Sequence, residues 1–430
     1  MDDKRSDRET RQMTLIAALR KPEAYPHAVQ RIELLDTHIS WVLLAGDFAY
    51  KIKKDVKLEF LDFSTLERRR HFCEEELRLN RRWAPELYLE VVPVCGSMAE
   101  PTIGGDGDVV EYAVKMRRFP QEAQLDRQLA AGLLEPRDIR DLAETIAAYH
   151  AESEPRAFTT HGDALAHIRG PMLDNFAPLQ GMVDEATLKN LRRWTRQSLV
   201  SLEHTLVERH RDGYVRDCHG DLNLTNLVRL PSGIAAYDCV EFSAELRNID
   251  VISDVSFVFM DLLARGREDL AYLLLNRYLE CTGDYAGIAM LGLYVVYHCL
   301  IRAKIAAIRA AKRPTAQAKA TDLAELESLV AVARSWLDRP PPVIVAMHGF
   351  SGSGKTWLSD RVLQKLPAVR VRSDIERKRL HGLAEVETSG SELGQGIYTD
   401  AASRDVYERL TQIAGDVVAT GCNVIVDAAF

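Results

Sequence analysis

The sequence predicts an α+β module, strand-rich and then helical, followed in the same chain by an α/β module of the P-loop NTPase type. Three observations carry this expectation. The first is the run HGDLNLTN at His219 to Asn226, answered by Asp238. The second is GFSGSGKT at Gly349 to Thr356. The third is the triple proline Pro340-Pro341-Pro342, which closes a long helical pattern just before the apolar run Val343-Ile344-Val345-Ala346-Met347. The two glycine-containing runs handle phosphate by different chemistry, so neither belongs inside the other's fold.

Taken in order, residues 1–118 form the strand-rich part, after a short amphipathic helix near Met13. The apolar stretch 38–45, the pair Gly46-Asp47 and the stretch 48–53 read as a hairpin. A helix follows over 66–83, then strands over 87–94 and 109–116, separated by a loop rich in Gly and Asp. Residues 119–338 are mainly helical, interrupted near 218–239. Segments 138–150 and 191–209 place apolar residues three and four apart, as helices facing a core do. The Ala-rich stretch 303–336 reads as helix up to the triple proline. The third segment, 343–430, opens with a short apolar run expected to be a buried parallel strand. Further strands end in Asp374 and in Asp427. The segment is short for a P-loop module with a lid, so the sequence-level expectation is an incomplete one.

Composition bounds the function. The 430 residues are 47% hydrophobic and 27% charged, the balance of an ordinary globular protein, with length for several cores. A net charge of −8 argues against nonspecific nucleic-acid or membrane-surface binding. No run is read as long and apolar enough for a membrane span, and the charged start MDDKRSDRETRQ is no secretory signal. A cytoplasmic location is expected. The seven cysteines show no C-x-x-C pair, which favours reduced, buried thiols over a metal site.

GFSGSGKT fits the phosphate-binding loop, in which successive backbone N–H groups point inward at a β-phosphate. Gly349, Gly352, Ser353 and Gly354 supply the path, Lys355 would bridge β- and γ-oxygens, and Thr356 would give its hydroxyl to Mg²⁺. The bland alternative is a glycine-rich turn between strand and helix. In the first run, phosphoryl transfer needs a positioner for the acceptor hydroxyl, an amide to hold a metal and a carboxylate to bridge metal and phosphates. Asp221, Asn226 and Asp238 supply these in that order, with a five-residue step from Asp221 to Asn226. The bland alternative is a solvated acidic loop.

HGDLNLTN followed by YDCVEF resembles the aminoglycoside and choline phosphotransferase superfamily, which shares the protein-kinase-like two-lobe fold. The longer pattern LLAGDFAYKIKK, EFLDFSTLERRRHFCEEELRLNRRWAPELYL, YDCVEFSAELRNIDVISDVSFVFMDL and GFSGSGKT resembles bacterial fused bifunctional aminoglycoside phosphotransferase/ATP-binding proteins. This resemblance implies Asp221 as catalytic base, Asn226 and Asp238 as Mg²⁺ ligands, and Lys51 as the strand lysine on the ATP phosphates. Its helix partner would be Glu76, with Glu75 as competitor. No Gly-rich phosphate loop precedes Lys51, where the hairpin offers only Gly46. The third segment resembles small-molecule kinases with a phosphate-binding loop. That implies Asp374 as acceptor base or anchor and Asp427 as the Walker-B-like carboxylate for Mg²⁺; an N-cap is the alternative for Asp374.

Several charged residues read more blandly. Arg247, Asp250 and Asp254 suit buried ion pairs, and Arg68-Arg69-Arg70 and Arg81-Arg82 a solvated helix face. His219 reads as an orienter of Asp221, while His150, His161 and His167 lack metal spacing. Three functions stay open. One is a small-molecule kinase with a second nucleotide module, acting on a hydroxyl of a sugar, an aminoglycoside-like compound or another metabolite. The others are a P-loop ATPase or kinase regulated by an inactive kinase-like module, and a nucleotide-binding scaffold. Oligomeric state is not written in the sequence.

Overall fold

The computed structural model describes residues 2–58, 61–156, 161–350, 353–385, 387 and 396–428. The chain forms two compact units, one of residues 1–133 with 219–247 and the other of residues 134–218 with 248–430.

In the first unit, six strands form one antiparallel sheet in the order β1-β2-β3-β6-β4-β5: Ile32–Asp36 (β1), Ser40–Ala45 (β2), Phe48–Lys53 (β3), Tyr88–Gly96 (β4), Pro101–Ile103 (β5) and Val109–Arg117 (β6). Ala45 pairs with Phe48, so Gly46-Asp47 is a two-residue turn, as its residues predict. Pro101–Ile103, which the sequence places inside a loop, adds a short strand at the sheet edge. Strand β3 is buried on both faces, because successive side chains alternate. Tyr50 and Ile52 enter a core with Leu43, Val92 and Leu15, the last from helix Asp2–Ala18 (α1). Lys51 and Lys53 take the other face, toward helix Leu66–Asn80 (α2).

Helix α2 starts where the Thr65 hydroxyl accepts from the Arg68 N–H, at 3.3 Å. It buries Cys73, Glu76, Leu79 and Asn80. The arginine run on this helix is not one solvated face. Arg68 and Arg70 are exposed, but Arg69 is buried, donating from Nε to both carboxylate oxygens of Glu111 at 2.9 Å. Arg81 donates from Nε to the Tyr88 carbonyl at 3.0 Å. Helix Leu125–Ala130 (α3) and the hairpin Leu227–Leu230 (β7) and Gly233–Ala236 (β8) complete the unit. Val228 and Ala235 of that hairpin share a core with Cys73, Tyr88 and Val114, so α2, the sheet and the segment after His219 pack as one body.

The second unit is helical, with a small parallel sheet. Its helices are Pro136–Glu152 (α4), His161–Asp174 (α5), Glu185–Ser201 (α6), Glu203–Arg211 (α7), Val251–Ala264 (α8), Glu268–Thr282 (α9), Ile288–Lys312 (α10) and Ala316–Ser335 (α11). Two stretches expected to be continuous are broken. One breaks at Leu202; the other breaks at Arg313 to Thr315, where Pro314 cannot continue the intrahelical bonds. Helix α10 also corrects the membrane reading: with the turn before it, it is long and apolar enough to cross a membrane. Yet 67% of its most apolar window is buried within the fold, as in a core helix. Asp250 caps α8 by accepting from the Ile252 N–H at 2.9 Å. Arg209 holds both Asp250 and Asp284, so Asp250 belongs to a buried ion-pair network.

Strands Ile344–Met347 (β9), Ala368–Arg372 (β10) and Asn423–Asp427 (β11) pair in parallel in the order β9-β11-β10. Helices Lys355–Leu363 (α12), Ser373–Leu380 (α13) and Asp400–Ala419 (α14) complete this part. Strand β9 departs from the expectation of burial: it lies at the sheet edge, and Ile344 is 59% exposed. The apolar run reported β-structure correctly but not how many neighbours the strand has.

Candidate functional sites

The first site is built wholly within the first unit. Gly220 adopts φ +85°, and a Cβ there would lie 2.7 Å from the Leu246 carbonyl oxygen, so the His-Gly-Asp corner requires glycine. His219 Nε2 sits 3.0 Å from the Tyr237 carbonyl, and Nδ1 accepts from the Asp221 N–H at 3.3 Å. These bonds fix one tautomer and make His219 an orienter of Asp221. The Asp221 carboxylate is aimed by two amides: Asn223 Nδ2 donates at 3.0 Å and Asn226 Nδ2 at 2.9 Å. Asn226 thereby spends its N–H groups on Asp221, which leaves its amide oxygen as the atom a metal would take.

Asp238 follows strand β8 and has φ +63°, the one positive φ outside glycine among the described residues. Strain of that kind persists where the surroundings over-determine it. Here the Asp238 N–H donates to the Tyr88 hydroxyl at 3.1 Å, and the next N–H, of Cys239, donates to Asn80 Oδ1 at 2.9 Å. The turn points the Asp238 carboxylate at Lys51, whose Nζ donates to it, and leaves that side chain 46% exposed. Lys51 also donates to Glu76 Oε1 at 2.7 Å. Glu75, the competing partner, instead pairs with Arg78 at 2.7 Å.

The sequence reading missed the other half of this cluster. Lys53 Nζ, fully buried, donates to Glu76 Oε2 at 2.7 Å and to Glu241. Glu76 thus receives one lysine on each oxygen. Burial pushes the Glu76 carboxyl up, but Lys51 and Lys53 pull it down further, so it is held below its ordinary range. Burial likewise pushes Lys51 down, while Asp238, Glu76 and Glu241 raise it more, and it keeps its charge. Asp238 is held below its ordinary range, with Lys51 overcoming burial. Two lysines face three carboxylates here, so a cation at Asp238 and Asn226 is electrostatically matched; the residues fit a divalent metal. A lysine held on a helix glutamate, an oriented aspartate and an amide–carboxylate pair are the parts that bind a triphosphate and aim a hydroxyl at it.

The second site lies in the second unit. Of the loop residues, Gly352 lies outside the described residues. Gly349 has φ +145°, and a Cβ there would come within 2.8 Å of Ser353 Oγ. Gly354 has φ +85° and immediately precedes α12. Lys355 Nζ donates to the carbonyls of Gly349 and Phe350 at 2.8 and 2.7 Å, folded back across the loop. Thr356 is exposed in the first turn of α12. Asp427, at the end of the central strand β11, is buried and 3.1 Å from the Ser359 hydroxyl, which also lies 2.9 Å from the Thr356 carbonyl. The carboxylate and the loop threonine are therefore tied through one serine. Asp374 is exposed in the first turn of α13, two residues past the strand end that pairs with Asp427. It is not the N-cap, since that position belongs to Arg372.

One further grouping has metal-ligand types: His150, Cys218 and Asp254, all buried. Each is already hydrogen-bonded: His150 to the Tyr278 hydroxyl at 3.0 Å and to Asp254 at 3.2 Å, and Cys218 to the Ile249 carbonyl at 3.5 Å. That is a satisfied core network.

The fold and the two sites define a class: a kinase-like module and a P-loop module in one chain. Residues 344–430 match the family described as AAA domain. An uncharacterized protein of Mycobacterium tuberculosis is 29% identical over 404 residues, covering 93% of this chain and 78% of its own. Among solved structures, similarity extends to a choline/ethanolamine kinase family protein from Mesorhizobium loti (TM-score 0.45, 14% identity, 75% of this chain and 99% of that one). It extends also to aminoglycoside phosphotransferase APH(4)-Ia (TM-score 0.42, 13% identity, 74% of this chain and 99% of that one).

Proposed function

We propose that the chain is an ATP-dependent phosphotransferase that moves the γ-phosphate to a hydroxyl of a small molecule at the first site, with the P-loop module as a second nucleotide-binding site. The observation that carries this is the convergence of Lys51, Glu76, Asp221, Asn226 and Asp238 within one compact unit. Lys51, held by Glu76, neutralises the nucleotide phosphates. Asp221, aimed by Asn223 and Asn226, accepts the hydrogen bond of the acceptor hydroxyl and then its proton. The acceptor oxygen forms its bond to phosphorus as the bond to the β-phosphate oxygen breaks, and ADP leaves with that electron pair. Mg²⁺, held by Asp238 and Asn226, would supply charge neutralisation of the phosphates when bound. In the P-loop module the corresponding holders are Thr356 and Asp427, with Asp374 at the acceptor side.

A sugar, an aminoglycoside-like compound or another polar metabolite suits this chemistry. The acidic net charge and the predominantly buried free thiols support a cytoplasmic protein that does not act on nucleic acid or membranes. The test is Asp221→Asn, assayed for ATP-dependent phosphorylation of metabolite extracts. Because Asp221 positions the acceptor and does not hold the metal, transfer should fall about a hundredfold or more with nucleotide affinity retained. Unchanged turnover would refute the assignment, and an equal loss of ATP affinity would move Asp221 to the metal.

A further inference from the structure

A cavity of about 460 Å³ opens beside Thr356, a volume suited to a small molecule. Two of its walls come from the P-loop segment: Thr356 and Asp360 on α12, and Arg370 and Arg372 on β10. Most of the remaining lining comes from helices α4 and α9, which precede that segment by more than sixty residues: Arg140, Glu144, Arg277 and Glu280, with Glu385 from beyond α13. Four guanidinium groups and four carboxylates therefore line one space at the carboxyl end of the P-loop sheet, so what matters is which arginines the carboxylates already hold.

Their partners divide them into two kinds. Arg370 is nearly fully buried and spends its terminal nitrogens on Asp360 at 2.6 Å and Glu280 at 2.8 Å. Arg277 donates to Glu144 at 2.8 Å and to Glu385 at 2.7 Å. These two hold α9 against the P-loop segment, together with Asn276, which donates to the Ala368 carbonyl at 2.9 Å and accepts from the Arg370 N–H at 2.5 Å. The other two have no hydrogen-bonded carboxylate among the described residues. Arg372 makes only long ion pairs, 3.9 Å to Glu280 and 3.9 Å to Glu385, outside hydrogen-bond distance. Arg140 is half-buried and has no ion-pair or hydrogen-bond partner among the described residues. A half-buried arginine without an anion, lining a cavity that ends on the loop threonine, is a site poised for an oxyanion.

We propose that Arg140, from the helical segment, and Arg372 complete the P-loop site in cis by binding a phosphate group in this cavity. The inference rests on the reading of the P-loop as a nucleotide site. It assigns to α4 a direct part in that site, a part that the P-loop sequence alone does not contain. The phosphate has two possible sources, the γ-phosphate of the nucleotide or a phosphate carried by the acceptor.

The experiment uses the full chain carrying Lys51→Ala to weaken the first site, with ATP, ADP and inorganic phosphate as calorimetric probes. Loss of a charge-assisted pair should weaken binding about tenfold or more. If the γ-phosphate is the ligand, Arg140→Ala weakens ATP and spares ADP. If an acceptor phosphate is the ligand, it spares both nucleotides and weakens inorganic phosphate binding to the ADP-loaded protein. In either case Arg140→Lys should retain part of the affinity, and the affected step should weaken as salt is raised. Arg140→Ala and Arg372→Ala that leave all three probes unchanged, or that weaken ATP and ADP alike, would overturn the proposal. Failure of the P-loop reading itself shows separately, as Lys355→Ala leaving nucleotide binding untouched in the same background.

Discussion

Lys53→Met is the perturbation whose size the structure fixes best. The Lys53 side chain is 0% exposed, Glu76 0% and Glu241 3%, so water cannot replace what the substitution removes. Methionine keeps the length and the apolar stem. Glu76 keeps Lys51 at 2.7 Å, but Glu241 loses its ion-pair partner while staying buried. Breaking one partner of a buried pair costs about 3–5 kcal/mol, most of it the stranded charge. For a unit of this size that is a fall in melting temperature of roughly 10 °C, at about 2–4 °C per kcal/mol. The assay is urea and thermal unfolding of the full chain, following the transition that nucleotide binding at the first site shifts. Lys53→Met combined with Glu241→Leu removes both charges and should regain most of the loss, since matched apolar replacement of a buried pair is close to neutral. A single variant that costs under about 1 kcal/mol, or a double variant no better than the single, would refute the reasoning. The pH dependence has a definite sign. The folded Glu76 carboxyl lies below its ordinary value, so the stability it contributes is present above the ordinary glutamate range. That stability is lost as pH falls through the folded value.

Other expectations follow from single contacts. Lys51→Ala and Lys355→Ala should each weaken one nucleotide site and spare the other; one site in total by calorimetry on the wild type would contradict this. Gly220→Ala should cost several kcal/mol, because its Cβ would meet the Leu246 carbonyl oxygen at 2.7 Å in a backbone region that alanine avoids; a normally stable, active variant would count against the corner geometry. His298 is buried, with Nε2 donating to the Ser253 carbonyl at 2.9 Å, and burial lowers its pKa from 6.5 to about 4. The unfolded chain therefore takes up a proton below about pH 6.5 that the folded chain refuses until about 4, which removes about 3 kcal/mol of stability across that window. The stability of the wild type should fall relative to that of His298→Leu as pH falls from 7 to 4.5, and parallel curves would show that His298 is not the group.

What the sequence made legible was set locally. Asp221 and Asn226 could be placed because a short loop fixes both, and Glu76 could be preferred to Glu75 because helix periodicity puts it on the apolar face of α2. Lys53 carried a signal that went unused: it stands two residues from Lys51, so strand alternation already put both on one face, opposite Glu76. Arg69 was misjudged because a run of arginines hides which member turns inward; its partner Glu111 lies on a strand forty residues on. The edge position of β9 and the cavity beside Thr356 could not be read at all. A strand's neighbours and a pocket wall drawn from residues 140 to 385 are properties of tertiary packing, not of any window of sequence. The same division explains why the two sites differ in how much can be inferred from motifs. The first has its lysine, aspartates and amide within one unit, each signalled by local pattern. The second has a loop signalled by its glycines, but the two arginines proposed to complete it sit one on α4 and one on β10, in a cavity wall that GFSGSGKT does not encode.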